Sequence, residues 1–166
     1  MSWSKIKKSI EITFAASMRN RVELHATCYD RAQKNPQNYD ARAWITIDGT
    51  EFIRFSATDS WHHFGAHFHE TTITECETHR AVEKTGRTPG NLMERGEFSK
   101  QDFLACCQIY PNLDFQSAVT NPSPIIQMIA FLDSRLGKGK LKKMSEEKMH
   151  PLPRAIFQIR KEAELR

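Results

Sequence analysis

No stretch of this chain is apolar over anything near the roughly 18 residues that span a bilayer. The N-terminus, MSWSKIKKSIEI, is charged too densely for the apolar segment of a signal peptide, so the expectation is a cytoplasmic protein without membrane contact. Cysteine is scarce. Cys28, Cys76, Cys106 and Cys107 show no CxxC spacing, and the adjacent pair cannot easily bridge, so all four read as reduced thiols. Also missing are GxSxG, GxGxxG, the phosphate loop GxxxxGK(S/T) and HExxH, so no ready-made nucleophile elbow, nucleotide cradle or helical zinc site is present and no cofactor is implied. No internal repeat or low-complexity segment is visible.

What remains is an ordinary globular composition. The chain has 166 residues, 39% of them apolar. That length predicts a single domain, 1–166, large enough to bury a core without staples. The charge is uneven. Residues 135–166 hold ten Lys or Arg against four Glu, a balance of +6, whereas residues 51–134 balance at -5. A basic tail of this kind meets nucleic acid or an acidic partner surface, or it is simply a set of solvated helix faces.

The stretch around which the chain is organised is ARAWITIDGTEFIRFSATDS, Ala41 to Ser60. Asp48-Gly49 is a hairpin turn pair between runs of Ile, Trp, Thr and Phe. A two-residue loop sets Ile45 opposite Phe52 and Trp44 opposite Ile53, which mixes both faces. A three-residue loop, Ile47-Asp48-Gly49 with Gly49 left-handed in a bulge, collects Ala41, Ala43, Ile45, Ile53 and Phe55 on one side. The other side then carries Arg42, Trp44, Phe52 and Arg54.

Before the hairpin, Trp3, Ile6, Ile10, Phe14 and Ser17 keep helical spacing behind a Ser2 N-cap. Residues 21–29 alternate, with Val22, Leu24, Ala26 and Cys28 inward and Glu23, His25, Thr27 and Tyr29 outward. Residues 61–97 read as a fourth strand, a short helix and a loop. From Phe98 the chain turns helical: a capping start at Ser99 and Asp102 with Phe98 stapled to Phe103, then a short helix capped by Asp114. Ser123-Pro124 opens the most apolar helix, which Gly137 is expected to close. A last helix runs from about Pro153 to Leu165 with Ile156, Phe157, Ile159 and Ala163 inward. The fold class expected is α+β: a small antiparallel sheet of three or four strands with an N-terminal helix (1–97), and a helical C-terminal half (98–166).

Several of these residues together resemble a family of small uncharacterised bacterial proteins with no assigned activity. The resemblance rests on Ser2-Trp3-Ser4-Lys5, on Arg21 to Thr27 and on Ala43-Trp44-Ile45-Thr46-Ile47-Asp48-Gly49. It continues through Phe98-Ser99, Asp102-Phe103, Asn121-Pro122, Leu132-Asp133, Arg135, Gly137-Lys138, Leu141, His150-Pro151-Leu152, Arg160 and Glu162-Ala163-Glu164. It covers the chain except residues 56–97. It implies a shared fold and no reaction. Some relatives lie beside genes for secreted polymorphic toxins, which points toward an immunity role. At Gly139-Lys140 the chain departs from the pattern, which has two basic residues there.

Three groups of residues compete for function. His63, His67 and His69, with His62, Cys76 and His79 near them, are candidate metal ligands; an exposed polar strand is the plainer reading. Nucleophilic catalysis finds little support, since His25 and Cys28 fall on opposite strand faces and Cys106-Cys107 sits in a helix that buries at least one thiol. Asp133 with Arg135 reads as a structural ion pair at a helix end. The last group joins Arg42, Trp44, Phe52 and Arg54 to the basic run Arg135, Lys138, Lys140, Lys142 and Lys143. Rings and guanidinium groups of this kind anchor protein interfaces, and with the lysines they also suit single-stranded nucleic acid. The reading preferred is a non-enzymatic protein-binding domain, an immunity protein gripping a toxin. A nucleic-acid-binding module is the alternative, and a metal-dependent enzyme using the histidines is third.

Overall fold

A computed structural model describes residues 2–27, 42–55, 98 and 100–165. The elements, in chain order, are α1 (Trp3–Glu11), β1 (Val22–Thr27), β2 (Arg42–Ile47), β3 (Thr50–Arg54) and α2 (Lys100–Ile109). A 3-10 turn at Tyr110–Asn112 follows, then α3 (Phe115–Val119), α4 (Pro124–Leu132), α5 (Lys138–Lys143) and α6 (Pro151–Leu165). This is the α+β arrangement expected. The chain divides into two units, residues 1–22 with 106–166, and residues 23–105. The N-terminal helix therefore groups with the C-terminal helices. The fourth strand expected within 61–97 lies outside the described residues.

The sheet unit is an antiparallel sheet in the order β1-β2-β3 among the described residues. The hairpin turn corrects the expectation in one respect. Ile47 pairs with Thr50, so the loop is the two residues Asp48 and Gly49. Their φ values of 50° and 78° put both in the left-handed region, the combination that a primed turn needs to match strand twist. The extra residue lies two positions further on. Thr46 pairs with Glu51 but Ile45 with Ile53, leaving Phe52 as a bulge. That bulge restores the parity expected of a buried face: Ala43, Ile45, Ile53 and Phe55 are all buried. Ala41 lies outside the described residues. Phe55 stacks on Phe103 of α2 at 4.4 Å between centroids.

The helical unit is built around α4. Ser123 accepts from the Ile126 amide and Pro124 occupies the first turn, as the sequence implies. Eight of its nine residues are buried. Asp114 caps α3 by accepting from the Ser117 amide at 3.0 Å. Ser2 holds the cap position of α1, but its hydroxyl meets Ser4 at 3.3 Å instead of a helix amide. On α6 the buried stripe is Leu152, Pro153, Ile156, Phe157 and Arg160. Ala163 is exposed and Ile159 half-buried, against the expected inward set.

The other correction is where α4 ends. Helix does not continue to Gly137; it stops at Leu132, and Asp133 is extended at ψ 135°. Residues 13–15 run antiparallel to residues 132–134: Ala15 donates to the Leu132 carbonyl and Ser134 donates to Thr13, each at 2.8 Å. The carbonyls that this break frees are taken by Arg160, whose side chain is fully buried. Its guanidinium donates to the Phe131 and Asp133 carbonyls at 2.6 and 2.7 Å and also to Leu136 O. Arg160 Nε donates to Glu164 Oε1 at 3.0 Å, and Ser17 donates to the same oxygen at 2.7 Å.

Removing that guanidinium takes a donor from three carbonyls, leaves those of Phe131 and Leu136 bare, and leaves the buried Glu164 carboxylate held by Ser17 alone. Arg160→Ala is expected to cost about 3–5 kcal/mol of stability, the range for breaking a buried ion pair on one side. Arg160→Lys is expected to recover only part of it, because an ammonium cannot reproduce the planar fork. Urea unfolding of the three proteins checks this; a loss below about 1 kcal/mol in the Ala variant contradicts it.

Candidate functional site

The candidate residues fall into the two units and are taken separately. On the sheet, Trp44 is half-buried and Phe52 is 42% exposed. Trp44 pairs with Arg54 in the backbone register, while the side chains of Arg42 and Arg54 lie outside the described residues. The strand pairing adds a residue that sequence reasoning left out of the site. His25 of β1 stacks on Trp44 with centroids 4.9 Å apart and planes 6° from parallel. Its Nε2 lies 2.9 Å from the Thr46 hydroxyl and 3.7 Å from Glu23. The alternation already placed His25 outward, but which residue of β2 it meets depends on the β1–β2 register, which no turn signal fixes. The outcome is a stacked, half-buried His25–Trp44 pair with a polar edge. Rings and guanidinium groups are the partners that aromatic side chains of this kind favour.

On the helical unit the basic run divides. Lys138, Lys140, Lys142 and Lys143 are exposed on α5, which Leu141 anchors by its buried side chain. Among the described residues none of the four has an acidic partner. Arg135 is committed instead. It holds Asp133 through both Nε and a terminal nitrogen, at 3.0 and 2.7 Å, and its guanidinium lies 4.9 Å from the centre of the Phe115 ring. The lysines offer a cluster of open positive charge; Arg135 offers a fixed one.

Asp133 is buried and collects every donor near it. Besides Arg135 it accepts from the Tyr110 hydroxyl at 2.7 Å and from the Arg135 amide at 2.8 Å. Burial by itself raises the Asp133 carboxyl pKa, but the Arg135 and Tyr110 donors outweigh burial and hold it below the usual carboxylate value. Tyr110 is pushed well above its ordinary value, first by burial and then by donating to that carboxylate. Burial, with Cys106 beside it, likewise raises the Cys107 thiol, so Cys107 is a small apolar side chain and not a nucleophile. The network is the structural pair that the sequence suggested, extended by Tyr110. His62, His63, His67, His69, Cys76 and His79 lie outside the described residues. Among the described residues no group of three or more potential ligands could hold a metal.

The Asp133 shift makes a pH prediction. A carboxyl with a depressed folded pKa contributes stability above its unfolded pKa of about 3.9, and loses it as pH falls through the folded value. Asp133→Asn is therefore expected to be less stable than wild type at neutral pH, with the gap closing below about pH 4. Thermal midpoints at several pH values test this; a gap that stays constant from neutral to acid pH contradicts it.

No curated protein and no solved structure matches this chain. A family model does, over residues 2–161, and so takes in the 56–97 stretch that the motif resemblance leaves uncovered. With nearly its full length matched, the chain belongs to the SF0329 protein family.

Proposed function

We propose that this chain is a non-enzymatic protein-binding domain, and that its partner is a bacterial toxin which it neutralises as an immunity protein. The observation that carries the binding reading is the outward sheet surface. A bulge sets Phe52 outside the ladder and 42% exposed, and the same sheet presents Trp44 already stacked on His25. Large aromatics held rigid before binding are the residues that carry interface energy, because little side-chain freedom is left to lose. The resemblance to proteins encoded beside toxin genes supplies the finer identity of the partner.

A photo-crosslinking residue at position 52, introduced in the cells that make the protein, is expected to capture one protein species. The same label at the exposed Gln158 should not capture it. Trp44→Ala is expected to weaken the recovered complex by about 2 kcal/mol or more, roughly 30-fold in affinity. Capture of the same species from Gln158, or unchanged affinity in Trp44→Ala, refutes the assignment.

The four open lysines of α5 favour a second reading, a nucleic-acid-binding module. Each phosphate that a lysine neutralises adds about 0.7–0.9 to the slope of log affinity against log salt, so changing all four to Ala would flatten a true slope by that amount for every phosphate released. The protein-binding reading expects micromolar or weaker binding to short oligonucleotides at physiological salt. Nanomolar binding that disappears in the four-Lys variant would replace it.

A further inference from the structure

Beside the break after α4, the helical unit contains an open cleft of about 320 Å³. Ala15, Ala16 and Ala163 keep its walls low, Lys138 stands in its lining, and Ser17, Ser134, Arg160 and Glu164 contribute the other polar groups. Small walls only make room; the observation that points to a ligand is Glu164. Its side chain is 8% exposed and is fixed through one oxygen, Oε1, by Ser17 and Arg160. Among the described residues Oε2 has no hydrogen-bond or ionic partner. A carboxylate more than nine-tenths buried thus keeps one oxygen free to accept.

Lys138 lines the same cleft, is exposed, and has no acidic partner among the described residues. A fixed acceptor and an open ammonium therefore share one cleft without closing on each other as an ion pair. Arg160 already balances the Glu164 charge, so a simple anion would meet Lys138 but leave the Glu164 acceptor unpaired, and a simple cation would meet that acceptor but face Lys138. A molecule carrying both charges a few atoms apart satisfies both. The volume lies at the small end of the range for ligand sites, about 300–1,000 Å³, and is ample for a molecule of amino-acid size. We propose that this cleft binds a zwitterionic small molecule of amino-acid size, its ammonium donating to Glu164 Oε2 and its carboxylate accepting from Lys138 Nζ.

The test is amide NMR of the full chain titrated with each of the common L-amino acids. At least one is expected to shift the amides of Ser17, Lys138 and Ala163 saturably. Its α-amide and its N-acetyl derivative, each lacking one charge, are expected to bind at least about tenfold more weakly. Glu164→Gln and Lys138→Ala are each expected to weaken binding by about tenfold or more. Lys138 takes no part in the Arg160 network, so its variant reads the site even where Glu164→Gln costs stability. Three results overturn the proposal: no saturable shift with any amino acid, equal binding of the capped derivatives, or full affinity in Lys138→Ala.

Discussion

One guanidinium holds the helical unit together. Helix α4 ends inside the protein, where the last carbonyls of a helix cannot turn to water, and each one left bare costs free energy on the scale of a lost hydrogen bond. Arg160 reaches across from α6 and donates to three of the carbonyls around that end. Five donors in a rigid plane suit this task, and a guanidinium gives up its hydration more readily than an ammonium. Glu164, one turn on along α6, balances the charge and is itself steadied by Ser17 from the segment after α1. The first and last segments of the chain thus meet on a single side chain.

The same break explains Asp133. Released from helix, it forms a bridge with Phe14 and turns its carboxylate to Arg135 and Tyr110. Burying an ion pair costs desolvation that only good geometry repays, and here both carboxylate oxygens and the neighbouring amide are engaged. Asp133, Arg135, Arg160 and Glu164 are among the residues that carry the family resemblance, and all four act in this network. In this chain those positions serve the joint between helices. The residues proposed to bind a partner lie elsewhere, on the outward side of the sheet, where a bulge can present an aromatic residue without opening the core.

Much of the architecture was legible in the residues themselves. Alternation in β1, the Asp48-Gly49 turn and the Ser123-Pro124 helix start are local signals, and each produced its element because the responsible physics acts within a few residues. The hairpin shows the boundary of that reasoning. Parity required one irregularity to gather Ile45, Ile53 and Phe55 on one face, and one is present. Its position was decided by the turn: Asp48 and Gly49 both accept positive φ, so the tight loop formed and the extra residue moved to Phe52.

What tertiary structure alone decided concerns groups that find partners far along the chain. By pattern Arg160 belongs to a solvated helix face, and Ala163 looks inward. Only the packing of α6 against α4 shows a guanidinium buried there and the alanine exposed. The stacking of His25 on Trp44 likewise needed a strand register that composition does not encode. Nor does the stretch through Leu136 announce by itself that helix stops at Leu132, because Arg135 and Leu136 are good helix formers. The bridge to Phe14 and the donors around Asp133 override that propensity. Local sequence determined the elements and their apolar faces, whose causes lie within a turn or two of chain. The ends of the elements and the polar joints were settled by unpaired backbone groups, which take their partners from whichever distant side chain the fold brings to them.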